Sequence, residues 1–221
     1  MSDTQYLTPP EAVFFDHDGT LVDTEPIWEQ AKQAIAQEHH AFWTAQDTAD
    51  CLGKSIDASL IRLQENGVPL ELQEMKAELQ KQAETILETH AISLIPGIPE
   101  VLQELRKANI PVGIVTNAIT QVAEHTASLS PETFSVIIGD QQVTNPKPHP
   151  EPYLQAAKQL GVNPQRCVAV EDSPSGVQSA LSAGMKVIIV PGEIDVIETK
   201  GTTKVSHTNL SLKDILILSN S

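Results

Sequence analysis

A chain of 221 residues can form one large domain, or a core with a smaller insert, and bury a sizeable interior. Its 40% hydrophobic and 19% charged residues are those of a globular chain and exclude a disordered one. The net charge of −15, from 14 Lys and Arg against 29 Asp and Glu, argues against nucleic acid or anionic membrane partners; a small phosphorylated substrate stays open where local positive charge offsets it.

The two cysteines, Cys51 and Cys167, stand far apart with no metal-type spacing, so a disulfide framework or zinc site is not expected and a cytoplasmic setting is. Residues 1–10 lack the basic and apolar regions of a signal peptide. No apolar run reaches the length of a membrane span.

In chain order, Pro9-Pro10 stops any helix before a short apolar strand, Ala12–Phe15, which runs into Asp16-His17-Asp18-Gly19-Thr20-Leu21. From Glu25 to about His90 the pattern is helical throughout. Pro26 suits a first helical turn, and Ile27, Trp28, Ala31, Ala34 and Ile35 recur at helical spacing. A glycine break at Cys51-Leu52-Gly53-Lys54 precedes a helix whose expected buried face is Ile56, Leu60, Ile61 and Leu63. Asn66-Gly67-Val68-Pro69 reads as a turn, and a long helix over 71–88 follows. Trp28, Phe42 and Trp43 are expected in the core of this helical region, and His39-His40 at a helix end.

At Leu94-Ile95-Pro96-Gly97 the texture changes to helices alternating with short apolar strands: strands over 112–116, 135–138, 167–170 and 186–190, and helices over 99–108, 120–129, 150–160 and 175–183. A weak strand near Val205 and a helix over 212–218 complete the chain. Such alternation predicts an α/β fold, a doubly wound parallel sheet covered on both faces, with an all-helical cap inserted after strand 1. The expected organisation is a core of residues 1–20 and 94–221 and a cap of 21–93, placed as a lid over the carboxyl ends of the strands, where open α/β sheets bind ligands.

Four polar stretches fall at that one edge. They are Asp16-His17-Asp18-Gly19-Thr20, Thr116-Asn117, Lys147 held between prolines, and Glu171-Asp172-Ser173. Each alone could be a solvated turn, a helix cap or a loop lysine. Together they are the parts of a phosphoryl-transfer site. Carboxylates can hold Mg²⁺, a hard ion that prefers oxygen. A lysine and a threonine hydroxyl can bind phosphate oxygens, one aspartate can attack phosphorus, and a second acid can move protons.

These residues resemble the motifs of the haloacid dehalogenase superfamily, in the branch of β-phosphoglucomutases and sugar-phosphate phosphatases. The resemblance spans nearly the whole chain. It implies Asp16 as nucleophile and metal ligand, and Asp18 as acid/base with its main-chain carbonyl facing the metal. It implies Thr116, Asn117 and Lys147 at the phosphoryl group, and Asp172 with Glu171, directly or through a water, at Mg²⁺. The implied function is a Mg²⁺-dependent phosphatase acting on a small metabolite, a sugar phosphate being the expected substrate, through an aspartyl phosphate.

Two features depart from the pattern. His17 replaces the usual Phe, Leu or Met and needs a partner for its ring. The positions where β-phosphoglucomutases carry a histidine and a cap arginine hold Trp28 and Ile56, which favours hydrolysis over mutase chemistry. A phosphomutase is the alternative within the class, and a catalytically inactive binding protein the alternative outside it. Glu25 and Lys54 are candidate substrate contacts, each with a bland reading as helix-start acid or solvated lysine. Monomer and homodimer stay equally open.

Overall fold

The structure is a computed structural model that describes residues 7–51, 56–89, 92–118 and 120–221. Gly53 and Lys54 therefore lie outside the described residues. The chain forms two compact units, one of the residues up to Asp23 with Ser93–Ser221, the other Thr24–Ile92.

The first unit is built on a six-stranded parallel sheet: β1 (Val13–Phe15), β2 (Val112–Val115), β3 (Phe134–Ile138), β4 (Val168–Glu171), β5 (Lys186–Ile189) and β6 (Thr202–Lys204), in the order 3-2-1-4-5-6. Strand β1 is central: Val13 lies opposite both Val112 and Val168, and Phe15 opposite Ile114 and Val170. The order reverses at β1, with β2 on one side and β4 on the other. That is where doubly wound sheets open a crevice at their carboxyl edge. β1, β2 and β4 are buried along their length, as strands covered on both faces must be.

The helices of this unit, numbered after the four of the helical unit, are α5 (Ile98–Lys107), α6 (Thr120–Ser128), α7 (Glu151–Leu160), α8 (Pro174–Ser182) and α9 (Leu212–Ser219). Alternation along the strands sends Phe14, Ala169 and Val187 into one apolar cluster with Tyr153, Ala156 and Ala157 of α7 and Val177 and Ala180 of α8. α9 packs against β4 and β5 and meets α5. Phe14 and Tyr153 meet edge to face at 6.4 Å, a preferred aromatic geometry.

The second unit holds α1 (Glu25–Glu38), α2 (Ala45–Cys51), α3 (Ile56–Glu65) and α4 (Leu72–Thr89). α1 packs on α4, with Ala31, Ile35, Leu60, Leu63, Met75, Leu79 and Ala83 buried. Two expectations fail here. Ile56 and Ile61 are 38% and 46% exposed, because α3 buries Ser59, Leu60 and Leu63 and Ile61 sits about 100° round the helix from Leu60. Phe42 is 58% exposed while Trp43 is buried and Trp28 partly so. Trp43 is fixed by its Nε1 donating to Glu29 and Thr48 and by its ring facing Lys32 Nζ at 5.2 Å. Among the described residues, no helix is long and apolar enough to cross a membrane.

Candidate active site

Three parallel strands end side by side and deliver the polar residues to one place. Asp16 follows β1, and its N–H donates to Val170 O at 2.9 Å, which extends the ladder by one residue and sets Asp16 beside Glu171. Thr116 follows β2 and is held in the same way by Ile138 O at 2.9 Å. Glu171 is the last residue of β4. Burying the strands thus carries Asp16, Thr116 and Glu171 into the interior, where all three are buried.

Lys147 is the cation that makes this burial tolerable. Its Nζ donates to Asp16 Oδ1 at 2.6 Å, Glu171 Oε1 at 2.6 Å and Val115 O at 2.7 Å, which uses all three of its protons. Burial works against the charge on Lys147, but Asp16 and Glu171 outweigh it and hold its pKa above the ordinary value. The loop that carries it is clamped by Asn117, whose Oδ1 accepts from Lys147 N at 3.0 Å and whose Nδ2 donates to Lys147 O at 3.2 Å. The side chain of Asn117 thus positions the Lys147 main chain.

Tyr153, which the sequence did not mark, lies behind this pair. Its hydroxyl donates to Glu171 Oε1 and its ring sits 5.1 Å from Lys147 Nζ. The other Glu171 oxygen presses on α8: a Cβ at Gly176 would fall 1.8 Å from Oε2. Asp172 is only partly buried, and Gly19, at φ +75, passes so close that a Cβ there would lie 2.2 Å from Asp172 Oδ2. A side chain at either glycine would displace an acid of the cluster.

Asp16, Glu171 and Asp172 each offer a carboxylate oxygen within 4.8 Å of the others. Burial, with Asp16 and Glu171 as like-charged neighbours, pushes Asp172 up to about 8. Burial also raises Glu171 to about 7, against the opposing pull of Lys147, and raises Asp16. One lysine thus does not neutralise three acids. A crowded all-oxygen donor set of this kind fits a hard divalent cation.

Asp18 is more open, with its side chain 36% exposed. His17 between the two aspartates is fully buried. Its Nε2 meets Thr126 Oγ1 on α6 at 2.6 Å, and its Nδ1 lies 3.3 Å from Asp18 Oδ2, near enough for an ionic contact though off the line of a hydrogen bond. Burial alone would lower the pKa of His17, but Asp18 more than offsets it and the net direction is up. Thr126 is the partner the ring required. His17→Leu is expected to cost about 1–3 kcal/mol by stranding the Thr126 hydroxyl, and His17→Leu with Thr126→Val to recover most of that loss. Urea unfolding of both variants checks this; equal losses would mean the Thr126 bond is not what His17 contributes.

In the helical unit, Glu25 begins α1 and its carboxylate lies 3.5 Å from Lys32, which is buried and also paired with Glu29.

Residues 13–190 match the family model of the haloacid dehalogenase-like hydrolases. The chain belongs to that family. Hexitol phosphatase A of Escherichia coli K12 is 34% identical over 198 residues, covering 88% of this chain and 89% of its own. Among solved structures, CbbY from Rhodobacter sphaeroides in complex with phosphate has a TM-score of 0.74 at 27% identity, over 88% of this chain and 92% of that one. A Thermotoga maritima structure described as a candidate β-phosphoglucomutase has a TM-score of 0.72 at 27% identity, over 94% and 97%. Within the haloacid dehalogenase-like hydrolases, this chain is a phosphatase.

Proposed function

We propose that the chain is a Mg²⁺-dependent phosphomonoesterase of a small phosphorylated metabolite, a sugar or polyol phosphate, working through a phosphorylated Asp16. The observation that carries this reading is the contact of Lys147 with Asp16 at 2.6 Å, which puts a fixed positive charge beside the oxygen that would attack phosphorus. In the first step an Asp16 oxygen bonds to phosphorus as the bond to the leaving oxygen breaks, and Asp18 gives its proton to the departing alkoxide. In the second, water attacks phosphorus, Asp18 takes the water's proton, and the Asp16 carboxylate departs, leaving inorganic phosphate. The Thr116 hydroxyl donates to a non-bridging oxygen, and the Lys147 ammonium, its three protons held by the protein, offsets phosphoryl charge at close range.

Asp16, Asp172 and the Asp18 carbonyl, with Glu171 beside them, would hold Mg²⁺, whose chemistry is to offset charge on the phosphoryl oxygens. The helical unit, with Glu25 and Lys54 among its candidates, is assigned substrate selection, and the core of the first unit catalysis. Two free, buried cysteines suit a reducing, cytoplasmic setting. Phosphate release from a panel of hexose, hexitol, glycerol and glycolate phosphates, with and without Mg²⁺, is the test. Turnover of one class of polyhydroxylated ester supports the reading. Isomerised product with a need for a bisphosphate activator would make it a mutase, and no turnover of any ester would leave a binding protein.

The raised acids give this proposal a pH signature. A carboxylate whose folded pKa lies above its unfolded value contributes stability that is full below the unfolded value and lost as pH rises through the folded one. With Glu171 at about 7 and Asp172 at about 8, the cation-free protein should lose stability between about pH 4 and pH 8. Cation binding requires the deprotonated acids, so the rise in Tm on adding Mg²⁺ should be small near pH 6 and largest above about pH 8. A Mg²⁺ shift that does not vary with pH would contradict the assigned ligands.

A further inference from the structure

The family match ends at residue 190, yet the chain beyond it returns to the catalytic turn. His207 opens a short 3-10 turn, His207–Asn209, after β6. Its ring is partly buried, and its Nε2 lies 2.9 Å from the carbonyl oxygen of Gly19. A carbonyl only accepts, so Nε2 must carry the proton. We propose that His207 is a positioning residue for the Asp18–Gly19 turn, fixing through this hydrogen bond the peptide that aims Asp18 and lets Gly19 pass Asp172. The inference rests on the phosphatase reading for its effect on rate.

Backbone hydrogen bonds close the turn on itself. Gly19 N donates to Val22 O at 2.9 Å, and Leu21 N and Val22 N both donate to His17 O, at 2.9 and 3.2 Å. Gly19, at φ +75, lies against Asp172, where a Cβ would find no room. Its carbonyl accepts from His207 Nε2. The histidine is itself braced. Gly97, at φ +99, lies so close that a Cβ there would fall 2.1 Å from His207 O, and Leu210, buried, donates to Ser206 O at 3.0 Å and to His207 O at 3.3 Å. Two residues before Gly97, the Ile95 N–H donates to Leu21 O at 2.9 Å. The C-terminal segment, the stretch before α5 and the turn after Asp16 therefore meet at one histidine. A displacement of about 1 Å in a catalytic group can cost on the order of 100-fold in rate, so a fixed peptide here has kinetic value.

The test separates the hydrogen bond from the packing. His207→Phe keeps the ring volume without a donor, and His207→Gln places a donor near the position of Nε2. His207→Phe should lower kcat about tenfold with KM within about twofold, and His207→Gln should recover most of the loss. Independently of activity, amide hydrogen exchange of Leu21 and Val22 should quicken in His207→Phe and return toward the parent rate in His207→Gln. The proposal is overturned if His207→Phe keeps the parent kcat, if the glutamine variant is as impaired as the phenylalanine one, or if Leu21 and Val22 exchange at the parent rate in both. A parent that hydrolyses no phosphate ester would sink the phosphatase reading instead, and the exchange measurement would still decide the role of His207.

Discussion

Asp16→Asn is expected to reduce kcat by about 10⁴-fold or more while leaving the protein at least as stable as the parent. The two parts of this expectation have one physical source. Asparagine keeps the shape of the side chain and an oxygen that can accept from Lys147, but it is no nucleophile and carries no charge. Asp16 is buried, and burial together with the neighbouring Asp18 charge raises its pKa even against Lys147. Removing that charge relieves repulsion on Asp172, whose own pKa is pushed up by burial and next by Asp16. Activity should therefore collapse while the cation-free Tm holds or rises, which a merely misfolded variant cannot do. Phosphate release and thermal unfolding on the same preparation decide the matter. A variant that retains parent-like turnover would remove Asp16 from the chemistry.

The sequence was most informative where one rule acted on several places at once. Short apolar runs alternating with helical periods announced a parallel sheet, and the polar residues at Asp16, Thr116 and Glu171 fell at strand ends because a buried strand cannot hold them in its middle. Lys147 stood out because it lay between prolines. Residues acting across the fold left no such trace. Tyr153 sits on the buried face of α7 like any aromatic, and its hydroxyl finds Glu171 only because α7 packs on β2 and β3 beside the end of β4. His17 and Thr126 are 109 positions apart, and His207 and Gly19 are 188 apart; neither pairing follows a period. Asn117 was legible as a site residue, but whether its amide serves phosphate or the Lys147 main chain depends on how the 145–150 loop returns. In α3 the apolar residues Ile56 and Ile61 outnumber what one face can bury, so composition overstated the core there.

Lys147→Met should destabilise the cation-free protein by about 3–5 kcal/mol at pH 8, the usual cost of removing one partner of a buried ion pair, and by much less at pH 5. Methionine fills nearly the same volume, so the cost is electrostatic. Lys147 Nζ is the shared donor of Asp16 and Glu171, and without it Glu171 keeps the Tyr153 hydroxyl while Asp16 loses its nearest opposite charge. Both acids then become easier to protonate than they are now, when burial already raises them against the pull of Lys147. At pH 5 each can fold as a neutral acid and little is lost. At pH 8 the unfolded chain has released both protons, whereas the folded variant must either keep them or bury two unpaired charges, and stability falls. Urea unfolding of parent and Lys147→Met at the two pH values, without divalent cations, measures the difference directly. If the loss were the same at pH 5 and pH 8, packing rather than charge would explain why a lysine is buried at the edge of this sheet.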